Sequence, residues 1–166
     1  HPMLDSHSDL VSYFEMPDTD AFVHHFAKAE LTPTTDWTDA ATWRWRIDED
    51  VKPVWLTDDV EAQAEAATRA IAQRMVLKDV SRQLIVDGCW IIAGASKIRD
   101  VRSGRIVRVQ DSASISGVWG SASISCVRGS ASISGVWGSA SISGVWDSAS
   151  ISDVQDSASI SDVQDS

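Results

Sequence analysis

The sequence predicts a small α+β N-terminal cap domain over residues 3–93, followed by a β-solenoid, a β-helix or β-roll, over residues 94–166. Three observations predict it. From Asp111 the chain reads DSASISGVW, GSASISCVR, GSASISGVW, GSASISGVW, DSASISDVQ and DSASISDVQ, then Asp165 and Ser166, a period of nine. Each repeat holds Ala, Ile and Val at fixed offsets, which a flexible Ser/Gly linker has no reason to do. The first hundred residues instead mix helical and strand spacing with no repeat.

His1 and Pro2 precede Met3 and read as the remnant of an expression tag. Residues 5–15 and 18–31 have helical spacing, the second with Phe22, Val23 and Phe26 on one face. Thr34 to Asp39 is a loop. In residues 41–47, Trp43, Trp45 and Ile47 alternate with Thr42, Arg44 and Arg46, as a strand with one dry face does. Val54 to Leu56 reads as a short return strand. Thr57 caps a helix over 58–78, with Asp58, Asp59 and Glu61 at its positive end and Arg74 and Lys78 near its negative end. Val60, Ala64, Ala67, Ile71 and Met75 are its expected packing stripe. A two-residue Asp87-Gly88 turn between apolar runs predicts a hairpin over 82–93. The alternative is that Leu84 to Ala93 already forms the first, irregular coil; in both cases the segment and the helix cap the open edge of the stack.

Residues 94–101, GASKIRDV, are a degenerate repeat one residue short, and 102–110, RSGRIVRVQ, keep the pattern through Gly104, Ile106 and Val109. In SASIS the side chains alternate, so Ala and Ile point inward and the three Ser outward, and Val re-enters the interior past a corner. The expected core is therefore Ala113, Ala122, Ala131, Ala140, Ala149 and Ala158; Ile106, Ile115, Ile124, Ile133, Ile142, Ile151 and Ile160; and Val109, Val118, Val127, Val136, Val145, Val154 and Val163. One repeat buries too little to stand alone and is stabilised only by stacking on its neighbours. Two repeats close a flattened coil of about 18 residues; four in a square coil is the alternative. With two per coil, Trp119, Trp137 and Gln155 ladder along one edge and Arg128, Trp146 and Gln164 along the other. Coils about 4.8 Å apart bring indoles into stacking range. Such a row either covers a corner or offers a partner an aromatic surface.

The chain of 166 residues carries 24 acidic against 14 basic side chains, a formal charge of −10, with a 43% apolar share and eight Trp. No apolar run reaches the length of a membrane span, and the N-terminus lacks the regions of a signal peptide, so a soluble, cytoplasmic protein is expected. Cys89 and Cys126 lack metal-knuckle spacing and read as free buried thiols. His24 and His25 fall on different helical faces. The hydrolase, metalloprotease, P-loop, dinucleotide and calcium-loop motifs are all missing, and a Ser ladder without a placed base is no nucleophile, so no enzyme, cofactor or metal is expected. Arg99, Arg102, Arg105 and Arg108 are expected to pair with Asp79, Asp87 or Asp100. The net charge disfavours nucleic acid as a ligand.

Over residues 94–166 the repeat resembles, in style more than in motif, the hexapeptide- and pentapeptide-repeat solenoids of bacteria and phages, although it lacks their periods. Some pentapeptide-repeat proteins are acidic rods that mimic duplex DNA in the groove of gyrase. The resemblance thus implies one candidate function, an acidic mimic aimed at gyrase or at a restriction or CRISPR protein, with Asp147, Asp153, Asp156 and Asp162 as its charges. The outward Ser rows superficially resemble the ladders of ice-binding solenoids, a second alternative, but Ser lacks the methyl of Thr. The reading ranked first is a non-enzymatic protein-binding or assembly module, phage or mobile-element encoded, contacting its partner through Trp119, Trp137, Trp146 and those four Asp. A homodimer through the C-terminal edge of the stack is expected as well.

Overall fold

The computed structural model describes residues 12, 13, 15, 27–49 and 51–164, and the chain divides into two compact units, 1–74 and 75–166. Most of the span of the helices expected at 5–15 and 18–31 lies outside the described residues, although Ser12 and Tyr13 are helical.

In the first unit, strand β1 (Ala29–Thr32) pairs antiparallel with β2 (Arg44–Ile47), Leu31 beside Trp45. Residues 29–31 are thus extended rather than the end of a helix, because β2 offers them a ladder that helical spacing alone does not reveal. The strand expected from residue 41 starts at Arg44, since Asp39 caps a short 3-10 turn at Ala40–Thr42 by accepting from the Ala41 N–H at 2.9 Å. Residues 54–56 form a turn closed by Leu56 N–H to Pro53 O at 3.0 Å, not a return strand.

Helix α1 (Asp58–Arg74) starts at Thr57, whose hydroxyl accepts from Val60 N–H at 3.4 Å and whose carbonyl accepts from Glu61 N–H at 2.9 Å. It ends four residues earlier than expected, because residues 76–78 are drawn into a sheet. Its packing face also differs from the expected stripe. Val60 and Ile71 are exposed, whereas Glu61, Arg69 and Gln73, on one face, hold the loop and β2, and Glu65, between them on that face, accepts from Arg69. Arg69 Nη1 donates to Ala40 O at 2.6 Å and Trp43 O at 2.8 Å, and Gln73 accepts from Ala40 N–H at 2.9 Å. Glu61 accepts from Trp45 Nε1 at 3.2 Å. Backbone groups left over by the irregular loop are stronger anchors for this face than methyl groups.

The second unit is a parallel β-solenoid of about five turns beginning at residue 76. One wall is the sheet β13-β10-β8-β6-β4, namely Ser150–Val154, Ser132–Val136, Ser114–Val118, Lys97–Val101 and Ser81–Ile85. The other is β14-β11-β9-β7-β5-β3, namely Ser159–Ile160, Ser141–Ile142, Ser123–Ile124, Arg105–Val109, Cys89–Ala93 and Val76–Lys78, extended by β12 (Val145–Trp146) beside β15 (Val163–Gln164). The hairpin expected at 82–93 is absent: β4 pairs with β6 and β5 with β3 and β7, all parallel. Gly88, at φ 83°, does turn the chain, but it sends it to the opposite wall.

Coil length settles along the stack. Val76 lies beside Ile91, Ile85 beside Val101, Ile98 beside Ile115 and Ile115 beside Ile133, separations of fifteen, sixteen, seventeen and then eighteen residues. The residue missing from the second coil is lost at a corner, between Val101 (beside Val118) and Arg105 (beside Ser123).

Ala113, Ile115, Val118, Ala131, Ile133 and Val136 are fully buried, with Ile85, Ile92, Ile98 and Val101 in the same cluster. Ser96, at the place of Ala113 one coil earlier, is buried too, and its hydroxyl donates to Ala93 O at 2.7 Å, so no polar group is stranded. In the last coil Ala149, Ile151, Ala158 and Ile160 are only partly buried, and Val154 and Val163 are 42% and 67% exposed. They occupy inward positions, but a coil stacked on one side only cannot enclose them. Among the described residues no helix is long and apolar enough to cross a membrane.

Candidate functional site

Two corners of each coil carry the side chains with most to offer a partner. Asp111, Gly129 and Asp147 open repeats at one corner and Gly120, Gly138 and Asp156 at the other, and all six have φ between 60° and 74°. A side chain with a Cβ is disfavoured there, and Asp is tolerated because its carboxylate bonds locally. Asp111 accepts from Gly94 N–H at 2.9 Å, Asp147 from Gly129 N–H at 3.1 Å and Asp156 from Gly138 N–H at 3.1 Å, each reaching back one coil. The Gly129 N–H, with the Arg128 guanidinium 3.1 Å away, holds the Asp147 carboxyl below the usual carboxylate range. Asp153 accepts from Gln155 Nε2 at 2.9 Å. The acidic rows are therefore in part corner staples. Asp79, at φ 56°, makes a staple in the other direction, accepting from Ala95 N–H of the following coil at 2.7 Å. Of the Arg at the entry, Arg99 lies 3.9 Å from Asp100.

The second feature is aromatic. The residues that follow Ile85, Val101, Val118, Val136 and Val154, five paired positions of one wall, are Val86, Arg102, Trp119, Trp137 and Gln155, and they line one edge of the solenoid. Trp119 and Trp137 stack with centroids 4.1 Å apart and planes inclined 22°. Trp119 Nε1 donates to Asp100 Oδ1 at 3.2 Å. Opposite, Arg128, Trp146 and Gln164 occupy successive coils, Trp146 beside Gln164. Trp119 is 40% and Trp146 36% exposed, while Trp137 is half-buried.

Each of these indoles lies on a glycine two residues earlier. A methyl group on Gly117, Gly135 or Gly144 would collide with the ring of Trp119, Trp137 or Trp146 respectively. Gly88 stands in the same relation to Trp90, under which Arg82 packs with its guanidinium 4.9 Å from the ring. The signal is legible in the repeats: GVW occurs where the corner is Trp, while CVR and DVQ occur where it is Arg or Gln. At Gly117, Gly135 and Gly144 it is space rather than φ that favours Gly, whereas Gly88 also has φ 83°.

Shallow hollows flank both rows. One, of about 470 Å³, is lined by Arg99, Asp100, Arg102, Trp119 and Gly120. The other is lined by Ser125, Cys126, Arg128, Trp146 and Asp147. Cys89 and Cys126 are both free thiols, Cys126 only half-buried, and burial pushes the Cys89 thiol up despite Arg105 nearby. Among the described residues no three His, Cys, Asp or Glu converge as a metal site. Comparison with protein-family models, with curated proteins and with solved structures gives no match.

Proposed function

We propose that this protein is a non-enzymatic protein-binding and assembly module, built by tandem repetition of a nine-residue unit, two to a coil, whose contact surface is the edge bearing Trp119 and Trp137. The observation that carries this reading is the rigid display of indole surface: rings bedded on glycine, stacked on one another and still open to solvent. A side chain already fixed in one rotamer loses little entropy on binding, and Trp with neighbouring Arg is the composition of interface hot spots. The flanking Arg102 and Gln155 supply a polar rim. Near-identical repeats expand and contract readily, which suits a phage or mobile element.

The test is affinity capture from a bacterial lysate, at low and high salt, with the intact chain and with a Trp119→Ala/Trp137→Ala variant. Partners retained by the intact chain at both salts and lost by the variant support the reading. Retention by both proteins overturns it. Binding that survives the Trp changes but collapses with salt supports the acidic-mimic alternative instead.

A further inference from the structure

We propose that the partner of this edge is a second copy of the chain, docked antiparallel about a two-fold axis that passes between Trp119 and Trp137. This rests on the reading above that the edge is a binding surface, and it names the occupant. The argument begins with charge. From Met75 to Gln110 the solenoid carries seven basic and three acidic side chains, while from Asp111 to Ser166 it carries one basic and six acidic. The stack is polarised along its axis.

The polarity is written along the aromatic edge itself. In order, that edge presents Arg102 with Arg99 close by, then Trp119, then Trp137, then Gln155 between Asp153 and Asp156. The basic end holds two anions, Asp87 next to Val86 and Asp100, against Arg99 and Arg102, and Asp100 is engaged by Trp119 Nε1 and lies near Arg99. Reversed end for end, this order is its own complement: basic, aromatic, aromatic, acidic meets acidic, aromatic, aromatic, basic.

A two-fold axis lying in the interface across the rod, midway between the two Trp, sets Trp119 against Trp137 of the second copy. It sets Arg102 against Gln155 of that copy, with Asp153 and Asp156 within reach of a long guanidinium. The three coil steps from the Arg102 row to the Gln155 row span about 14 Å, room for the indoles at the centre and the charges at the rim. Symmetry makes each contact twice, and an isologous contact closes at two copies. The alternative pairing, tip to tip through the last coil, would set Asp153, Asp156 and Asp162 against their own copies. Side-by-side antiparallel docking neutralises them.

Sedimentation velocity of the intact chain at tens of micromolar tests this. The expected result is a dimer that weakens as salt is raised. Arg102→Glu sets a carboxylate against the acidic end of the second copy, and Gln155→Arg sets a new guanidinium against Arg102; each alone should raise the dimer dissociation constant about tenfold or more. Combined in one chain they should restore the dimer, because positions 102 and 155 meet only between copies. Unchanged circular dichroism melting in these exposed-site variants separates lost docking from lost fold. A monomeric intact chain overturns the proposal, as does a dimer indifferent to both reversals, or one broken by Ser159→Pro alone and hence joined through the last coil. A monomer that still loses captured partners on Trp119→Ala/Trp137→Ala overturns self-docking while leaving the binding edge standing.

Discussion

The central coils and the N-terminal unit bury their interiors by opposite means. In the coils, Ile115, Ile133, Val118 and Val136 are fully buried, each flanked above and below by a copy of itself, and the interior cluster is entirely apolar. In the first unit, the buried apolar side chains among the described residues are Ala40, Trp43, Pro53, Leu56 and Ala72, and the helix is held by Arg69 and Gln73 bonding loop backbone. One region relies on repetition of a small apolar set; the other relies on a few polar contacts that each have one partner. Damage to an inward position of a coil is therefore felt by the coils on both sides, whereas damage to Arg69 stays local.

The largest effect expected is at Ile133. Ile133→Asp buries an unpaired carboxylate in a narrow core, at a cost of about 3–5 kcal/mol, and should unfold the central coils. Ser132→Asp, one residue away but outward, should be mild. Chemical denaturation of the two variants measures the difference, and equal losses would break the contrast between inward and outward positions. In the first unit the corresponding weak point is Arg69→Ala, which leaves the Ala40 and Trp43 carbonyls without their guanidinium donor and should cost about 1.5–3 kcal/mol. Hydrogen exchange should then show amides of residues 38–45 opening while those of residues 114–136 keep their protection.

Gly135→Ala should cost about 1–3 kcal/mol, because the added methyl displaces the Trp137 ring from its bed. Indole fluorescence should shift as the Trp119–Trp137 stack opens, while Ser134→Ala should leave it unchanged. Acid gives the smallest effect and is felt in both regions. Asp48, bonded first to Lys28 and then to Arg46, and Glu61, bonded first to Lys52 and then to Trp45, are held below their ordinary values. A carboxylate depressed in the folded state contributes stability that is fully present above its unfolded pKa and is lost as pH falls through the folded value. Asp147, at a corner of the coils, is held low in the same way by Gly129 N–H and Arg128, so both regions should lose a little stability below about pH 4, as followed by near-ultraviolet circular dichroism. All of these carboxylates are exposed, so solvent screening keeps the effect small.

The repeated coils were legible because their three inward residues recur at fixed offsets, so Ala113, Ile115 and Val118 could be read without any knowledge of coil geometry. Residues 94–110 were legible as degenerate repeats, with Ile106 and Val109 inward, but the coil before them was not read as such from its spacing. Residues 76–101 close turns of fifteen to seventeen residues, so no fixed period exists to find, and Asp87-Gly88 imitates a hairpin turn at what is a corner. Helix α1 was legible as a helix but not in its orientation, because side chains that bond backbone carbonyls outrank an apolar stripe of Ala and Val, and hydropathy cannot register them. Of the aromatic edge, the positions of Trp119 and Trp137 followed from the repeat. Their glycine beds did not, although the coupling of GVW against CVR and DVQ was present in the sequence to be read.

The eighteen-residue register has a cost during folding. Coils 111–128, 129–146 and 147–164 present the same Ala, Ile and Val to the interior. A segment such as Ser132–Val136 would find equal apolar partners in Ser114–Val118 or, slipped by a coil, elsewhere in the array. Hydrophobic collapse alone cannot tell these alignments apart. The coils of residues 76–110, with unequal lengths and their own side chains, pair in only one way. They are therefore the natural seed from which alignment is counted outward, coil by coil, and the corner residues Trp119, Arg128, Trp137 and Trp146 act as labels that penalise a slipped count. Refolding should be vectorial, and its errors should be whole-coil slips that leave every inward residue buried and every label misplaced.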